Sequence, residues 1–244
     1  MSSLTDSIYA RCQAAGIPLD LIAADKLAAY HRLLLEWNQR MDLTAILEES
    51  EMLDRHYIDS LSPLAVGGLI FAGIRAIDVG SGAGFPGLPI AIARPDVSMT
   101  LLDAQQKRVR FLQEVITKLD LSNVTALHGR SEDTAHLPDH RESYDLALAR
   151  AVASLPALME LLLPFVRPTG RALCWKGPAV LAEMDAGQKA AKLLGGTLEE
   201  PVATPIPGRD WHHLLLPCKK VGKTLRQYPR KAGTPGREPL GTCG

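Results

Sequence analysis

From Arg75 onward, short apolar runs alternate with longer amphipathic ones. The short runs have the length of strands: RAIDVG, MTLLDA, VTALHG, YDLALARA and RALCWKG. Runs of helical length, such as QKRVRFLQEVITKLD, separate them, and WHHLLLPCKK closes the series as a late strand. Strand–helix alternation needs right-handed crossovers and gives a parallel sheet with helices on both faces. The pattern therefore predicts a doubly wound α/β fold with a mostly parallel sheet.

The chain divides by pattern into three parts. Residues 1–72 are predicted to form a helical cap, because LDLIAADKLAAYHRLLLEWNQRM and SEMLDRHYIDSLSPLAV read as two helices. Residues 73–221 hold the alternating pattern. Residues 222–244 are rich in proline and glycine, which predicts a tail that is mobile when no partner is present.

Composition narrows the class of protein. The 244 residues carry 27 basic and 27 acidic side chains, so the net charge does not indicate a polyanion as partner. The four cysteines lie far apart without C-x-x-C spacing or paired histidine ligands, which argues against a metal site or disulfides and favours a reducing, cytoplasmic setting. No secretion signal and no apolar stretch approaching eighteen residues is present, so no membrane association is predicted.

A glycine-rich turn follows the first predicted strand, in AIDVGSGAGFPG. Such a turn brings a ligand close to the backbone at the N-terminal end of the next helix. Read from Gly82, the string fits the dinucleotide pattern G-x-G-x-x-G, and Asp103 follows where a ribose ligand is expected. Read from Asp78, it is D-x-G-x-G-x-G and resembles the first motif of S-adenosylmethionine-dependent methyltransferases. Both cofactors would use Asp103, so the turn alone leaves an NAD(P)-dependent oxidoreductase open.

Several further motifs favour the methyltransferase. RHYIDSL, DVGSGAGFPGLPIAI, LLDAQQKRVRFL, HGRSED and ARAVASL, in that order, resemble the bacterial small-subunit ribosomal RNA guanine-N7 methyltransferases, also called the glucose-inhibited division protein B family. The resemblance implies a class I, Rossmann-like fold with a seven-stranded sheet and an N-terminal helical extension. It also implies methyl transfer from S-adenosylmethionine, with S-adenosylhomocysteine as product, to a guanine N7 of 16S ribosomal RNA. The substrate would be that RNA or the assembling small subunit, and the enzyme a cytoplasmic monomer without metal.

The resemblance also implies site residues. The cofactor would contact residues at the ends of the first four strands: Asp78, Gly80, Gly82, Gly84, Phe85, Asp103, Ala104, Ser131, Glu132 and Arg150. Asp103 and Ala104 would meet the ribose, and Ser131 and Glu132 the adenine. Family members often carry alanine where this chain has Ser131, which leaves Asp133 as a competitor for the adenine amino group.

The active crevice is expected to contain Arg150, with His56 and Asp59 of RHYIDS covering its mouth. If that segment is an α-helix, Arg55 shares a face with Asp59, and His56 with Ser60. The loop after the fourth strand has neither an Asn/Asp-Pro-Pro-aromatic tetrapeptide nor a nucleophilic cysteine, so adenine amino-group and pyrimidine C5 methylation are disfavoured. The adjacent histidines 212–213 are predicted to point to opposite faces, and the sequence assigns them no role.

An acid-free interval near the C-terminus predicts an RNA-binding arm. Its basic residues are Lys219, Lys220, Lys223, Arg226, Arg230, Lys231 and Arg237. An alternative to the enzyme is thus an RNA-binding protein without catalytic activity.

Overall fold

The computed structural model describes residues 3–150 and 153–242, and one eight-stranded sheet forms its centre. The strands are β1 (Arg75–Val79), β2 (Ser98–Asp103), β3 (Val124–His128), β4 (Tyr144–Arg150), β5 (Val166–Lys176), β6 (Gly196–Leu198), β7 (Val202–Ala203) and β8 (Leu214–Lys220). The order β3-β2-β1-β4-β5-β8-β6 contains seven of them, and the short β7 pairs with β8. Strands β1 to β5 pair in parallel, whereas β8 runs antiparallel to β5 and β6. The predicted doubly wound, mostly parallel fold is confirmed, with one two-residue strand added.

The helices cover both faces of this sheet. They are α1 (Leu4–Ala14), α2 (Leu21–Asn38), α3 (Glu49–Met52), α4 (Asp59–Leu61), α5 (Gly87–Ala93), α6 (Gln106–Lys118), α7 (Ser131–Thr134), α8 (Leu155–Leu162), α9 (Met184–Leu193) and α10 (Thr234–Arg237). Short 3₁₀ turns span Ser62–Leu64 and Pro178–Glu183. None of the helices in the part of the chain that the structure describes is long and apolar enough to cross a membrane.

The two first helices pack on the same core as the sheet. Each begins at a side-chain cap, with Ser3 accepting from the Asp6 N–H and Asp20 from the Ala23 N–H. Buried residues of these helices, among them Leu27, belong to one cluster with residues of the sheet and its helices. Full burial of such a side chain contributes about 1.5–3 kcal/mol. The N-terminal extension is therefore part of the hydrophobic core rather than a separately cored unit.

Helical winding changes within RHYIDS. A π-helical turn spans Leu53–Ile58 between α3 and α4. The predicted face shared by Arg55 and Asp59 is not used, because Arg55 pairs with Glu51 at 2.6 Å and Asp59 turns towards the sheet. His56 and Ser60, predicted to share a face, are joined through the backbone, because the Ser60 hydroxyl donates to the His56 carbonyl. π-Helical turns occur frequently at functional sites.

The C-terminal segment differs from the predicted mobile tail. Within residues 222–242 it contains α10 and packs against α8. The Arg141 guanidinium donates to the carbonyls of Thr224, Leu225 and Tyr228 at 2.9–3.0 Å. Arg230 pairs with the fully buried Glu160 of α8 at 2.7 Å. These internal anchors hold a segment whose composition alone indicated no packed element.

Candidate active site

The glycine-rich turn lies between β1 and α5 and bends sharply. Gly80, Gly82 and Gly84 have φ of 77°, 58° and 103°, which is left-handed backbone that other residues rarely adopt. A Cβ on Gly84 would lie 2.8 Å from the Tyr30 hydroxyl oxygen. That hydroxyl donates to the Ala83 carbonyl, so helix α2 supports the turn from behind.

The N–H groups of this turn are largely engaged within the protein. Gly80 and Ser81 donate to the Leu102 carbonyl at 2.8 and 3.1 Å, and Gly84 donates to the Ser81 carbonyl at 2.7 Å. Gly82 donates to Oδ2 of Asp103 at 2.8 Å. A pyrophosphate is bound in dinucleotide sites by free N–H groups at this position. The turn therefore holds the end of β2 in place and offers few donors to a pyrophosphate.

Asp78 is the fully buried residue just before the last position of β1. Its Oδ2 accepts from the Gly87 N–H at 2.9 Å, and its Oδ1 has no hydrogen-bond partner among residues 3–150 and 153–242. Burial raises the pKa of this carboxyl to about 7. Asp78 thus keeps one buried carboxylate oxygen that lacks a donor or a cation among the described residues.

A cavity of about 210 Å³ opens at the carboxyl ends of β1, β2 and β3. It is lined by Val79, Gly80, Leu102, Ala104, Gly129, Arg130, Ser131, Glu132 and Leu161. Asp103 stands in the chain between the lining residues Leu102 and Ala104. Its Oδ1 accepts from the Gln105 N–H at 2.8 Å. Four predicted cofactor residues therefore line one cavity, namely Gly80, Ala104, Ser131 and Glu132.

Two lining residues are also tied to other parts of the chain. The Ser131 hydroxyl donates to the Leu161 carbonyl at 2.8 Å, which fixes α7 to α8. Oε1 of Glu132 accepts from the Gly233 N–H of the C-terminal segment at 2.8 Å. Asp133 is exposed and does not line the cavity.

Phe85, His56 and Arg150 form a second group beside the turn. The His56 ring stacks on Phe85 with centroids 4.6 Å apart, and the Arg150 guanidinium carbon lies 5.2 Å from the centre of the Phe85 ring. His56 Nε2 bonds the Thr44 hydroxyl at 2.8 Å. Burial, aided by the Arg150 charge, lowers the pKa of His56 to about 4, so its imidazole is neutral at pH 7.

Arg150, at the end of β4, is held by the RHYIDS segment. Its Nη1 donates to Oδ2 of Asp59 at 3.0 Å and to the Arg55 carbonyl at 2.9 Å. Oδ1 of Asp59 bonds Nδ1 of His213 at 2.7 Å, and the Asp59 carbonyl accepts from the Trp175 indole at 2.8 Å. The predicted group of Arg150, His56 and Asp59 is therefore brought together, although Asp59 is buried beneath it.

Sequence reasoning missed His213 and Trp175. His213 lies just before β8, far from Asp59 in the chain, and its only local signal is a second histidine beside it. The rings do diverge, since His212 is exposed whereas His213 faces Asp59. Trp211 fixes this stretch, with the guanidinium carbons of Arg55 and Arg209 lying 4.1 and 5.0 Å from its ring centre.

One carboxylate anchors the loop before His213 to the N-terminal helix. Asp54 is buried, and its Oδ2 accepts from Nε of Arg209 at 2.7 Å. Its Oδ1 pairs with Arg11 of α1. Both arginines also donate to the Ser50 hydroxyl, at 2.9 Å from Arg11 and 2.7 Å from Arg209.

The basic residues predicted to bind RNA fall into two groups. Lys219, Lys223, Arg226, Lys231 and Arg237 are exposed. Lys220 is fully buried, donates to the Leu163 carbonyl at 2.7 Å and pairs with Glu142, and Arg230 pairs with Glu160. Lys220 and Arg230 therefore stabilise the fold, which corrects their predicted place in the arm.

Within the described ranges, no group of three or more histidine, cysteine or acidic residues is arranged to hold a metal ion.

The fold and the cavity at the ends of its parallel strands define the class of the protein, which is a Rossmann-like, doubly wound α/β protein. A chain of the complex between the Haloferax volcanii Trm112 methyltransferase activator and a methyltransferase superposes with a TM-score of 0.54. Its sequence is 15% identical, and the match covers 78% of this chain and 98% of that one. At this identity the likeness concerns the fold alone.

Sequence comparison gives the particular family. Residues 23–205 match the model of the GidB family, described as rRNA small subunit methyltransferase G. Ribosomal RNA small subunit methyltransferase G of Alkaliphilus oremlandii is 44% identical over 97% of this chain and 99% of its own length. The protein of the same name from Acetivibrio thermocellus is 42% identical over 92% of each chain. The chain belongs to this family.

Proposed function

We propose that this protein transfers a methyl group from S-adenosylmethionine to N7 of a guanine in 16S ribosomal RNA. The glycine-rich turn supports this donor over NAD(P), because most of its N–H groups bond Leu102, Ser81 and Asp103. Few are left to bind the pyrophosphate of NAD(P). The buried Asp78, with Oδ1 lacking a partner among the described residues, fits the cationic amino-acid end of this donor. Membership of the methyltransferase family points the same way.

The residues of the first cavity, together with Asp78 and Asp103, which directly precede lining residues in the chain, would hold the cofactor, which supplies an electrophilic methyl group when bound. Asp103 would accept from two ribose hydroxyls, and the Gly82 N–H already orients its carboxylate. Ser131 and Glu132 would border the adenine, and Asp78 would receive the ammonium group.

Guanine N7 carries a free lone pair at neutral pH, so no general base is required. Alignment of nitrogen, carbon and sulfur is then the main task, and positioning of this kind is worth about 7–11 kcal/mol of a barrier. Methylation places a positive charge on the purine, which nearby cations would oppose. His56 is neutral because its pKa is lowered to about 4, and the Arg150 charge is paired with Asp59. This electrostatic balance supports N7 as the acceptor.

The exposed basic residues of the C-terminal segment would contact the RNA backbone. The protein would act as a monomer in the cytoplasm, where ribosomal subunits assemble. Each phosphate contact on single-stranded RNA adds about −0.7 to the log–log salt slope of binding. Replacing both Lys223 and Arg226 by alanine should therefore make the slope shallower by about 1.4. Lys220→Met is the matched control and should leave the slope unchanged, because Lys220 is buried. An equal change in both variants would contradict this surface.

Methyl transfer tests the function directly. Small subunits and 16S ribosomal RNA from cells lacking the protein are incubated with labelled S-adenosylmethionine, and mass mapping locates the product. We expect 7-methylguanosine at a defined position, and loss of transfer in Arg150→Ala. In parallel, S-adenosylhomocysteine should raise the melting temperature and NAD should not. Stabilisation by NAD alone would indicate the oxidoreductase, and RNA binding without transfer would indicate the non-catalytic protein.

A further inference from the structure

A second cavity, of about 260 Å³, lies beside Arg150 on the side of β5 and β8. Its wall is formed by Asp59, Arg150, Trp175, Lys176, Gly177 and His213. In doubly wound folds the crevice beyond the carboxyl ends of the strands receives ligands. The first cavity lies at the ends of β1 to β3, so this second one is available for the molecule that accepts the methyl group.

Most polar groups on this wall are already engaged. The Trp175 indole donates to the Asp59 carbonyl, and Nζ of Lys176 donates to the Ala153 carbonyl at 2.7 Å. Both carboxylate oxygens of Asp59 are bonded, to Arg150 and to His213. Nε2 of His213 has no partner within residues 3–150 and 153–242. Among the side-chain nitrogens of this wall, Nε2 of His213 is the one that can act as an acceptor, because arginine, lysine and tryptophan nitrogens only donate.

The bond to Asp59 fixes which nitrogen of His213 carries the proton. An ionised carboxylate can only accept, so Nδ1 at 2.7 Å must be the donor. In the neutral ring Nε2 then bears the lone pair and accepts. The ring is also held by Trp211, which stacks on it with centroids 5.9 Å apart and an interplanar angle of 18°. His213 thus presents one oriented acceptor to the cavity.

We propose that this cavity receives the acceptor guanine and that His213 Nε2 accepts a hydrogen bond from the N1–H of that base. The inference rests on the proposed function and names the residue that reads the base. Guanine carries donors at N1 and at its exocyclic amino group, on the edge opposite N7. Adenine has an unprotonated N1, so its lone pair would face that of Nε2. An acceptor that the bound base covers without pairing to it disfavours the wrong base.

The same bond assists the reaction. In methyl transfer the sulfur–carbon bond breaks and the pair goes to sulfur, while the N7 lone pair forms the new nitrogen–carbon bond. The positive charge thereby passes from sulfur to the purine, which makes its N1–H a stronger donor. The bond to Nε2 strengthens as the charge develops, with the Asp59 carboxylate behind the imidazole. An interaction that is stronger in the transition state than in the ground state raises kcat.

The test compares His213→Ala with His212→Ala in the full-length protein. His212 is adjacent and has a side chain that is 76% exposed, so it is the matched control. The substrate is small subunits from cells lacking the protein, at saturating S-adenosylmethionine. Loss of one such group is expected to lower kcat about 10²-fold. The KM for S-adenosylmethionine should stay within about twofold in both variants, because neither side chain lines the first cavity. His212→Ala should also keep the wild-type kcat.

A kcat of His213→Ala within threefold of the wild-type value would overturn the inference, as would a loss confined to KM or an equal loss in His212→Ala. Melting temperatures are measured for each variant. If His213→Ala unfolds at the assay temperature, His213→Gln and His213→Leu are compared instead. The glutamine variant should have the higher kcat, because its side-chain carbonyl oxygen can accept a hydrogen bond and leucine cannot. Wild-type protein that forms no 7-methylguanosine would instead refute the proposed function, so the two failures are distinguishable.

Discussion

Replacing Asp78 by asparagine is expected to stabilise the unliganded protein while weakening its hold on the cofactor. Asp78 is fully buried, and burial raises the pKa of its carboxyl from 3.8 to about 7. A shift of this size costs the ionised form roughly 4 kcal/mol at pH 8, at about 1.4 kcal/mol per unit. Asparagine removes that cost and can still accept from the Gly87 N–H.

The gain is partly offset by the new amide. Its NH₂ group would take the place of Oδ1, which has no partner among the described residues, and a buried unpaired donor costs about 1–3 kcal/mol. The net stabilisation is therefore about 1–3 kcal/mol. For a chain of this length, each kcal/mol shifts the melting temperature by about 2–4 °C. We expect Asp78→Asn to melt roughly 2–12 °C above the wild type at pH 8.

The difference should depend on pH in a defined direction. Because the folded pKa is raised, the cost is fully present above pH 7, and it is relieved as the pH falls from about 7 towards the unfolded value of 3.8. The advantage of asparagine should consequently shrink between pH 8 and pH 5. The exposed Asp42→Asn is a surface control and should show no such change.

Thermal unfolding at both pH values, followed by circular dichroism, measures the stability, and titration calorimetry with S-adenosylhomocysteine measures the affinity. The reasoning about burial would be refuted if Asp78→Asn melted below the wild type at pH 8. It would also be refuted if the difference in melting temperature between the two proteins were the same at both pH values. Unchanged affinity for S-adenosylhomocysteine would remove Asp78 from the cofactor site.

Three further substitutions test the supports of the site. Tyr30→Phe removes the hydroxyl that donates to the Ala83 carbonyl, and should weaken S-adenosylhomocysteine binding about two- to tenfold in calorimetry. Arg230→Ala leaves the buried carboxylate of Glu160 unpaired, and should lower the free energy of unfolding by about 3–5 kcal/mol in a denaturant titration. Gly87→Ala places a Cβ 2.5 Å from a neighbouring side chain, and should cost about 1–3 kcal/mol in the same titration.

The residues that could be predicted from sequence are those whose position follows from strand ends. Asp78, Asp103 and Arg150 each lie within a residue of the carboxyl end of a parallel strand, and such ends meet at one edge of the sheet. Their proximity is therefore a property of topology, which strand–helix alternation already indicates. The turn between β1 and α5 is likewise local, since its glycines are spaced within one short stretch.

The contacts that sequence did not predict join distant segments without a motif. Glu160 stands in the apolar run LPALMELLLPFV, where a single carboxylate is typical of an exposed helix face, yet it is buried against Arg230. Lys220 differs from its neighbour Lys219 only in facing inward on β8. His213 gains a partner only when β8 is placed antiparallel to β5, which brings it to Asp59 at the start of α4. Such pairings depend on the tertiary arrangement of the last third of the chain.

Asp54 joins two distant parts of the chain at one buried carboxylate, through Arg11 of the first helix and Arg209 of the loop that leads to His213. If Arg11 were removed, Asp54 would keep only Arg209 of these two partners. The first turns of the chain therefore support the second cavity, and shortening them would loosen a wall built from residues about two hundred positions later.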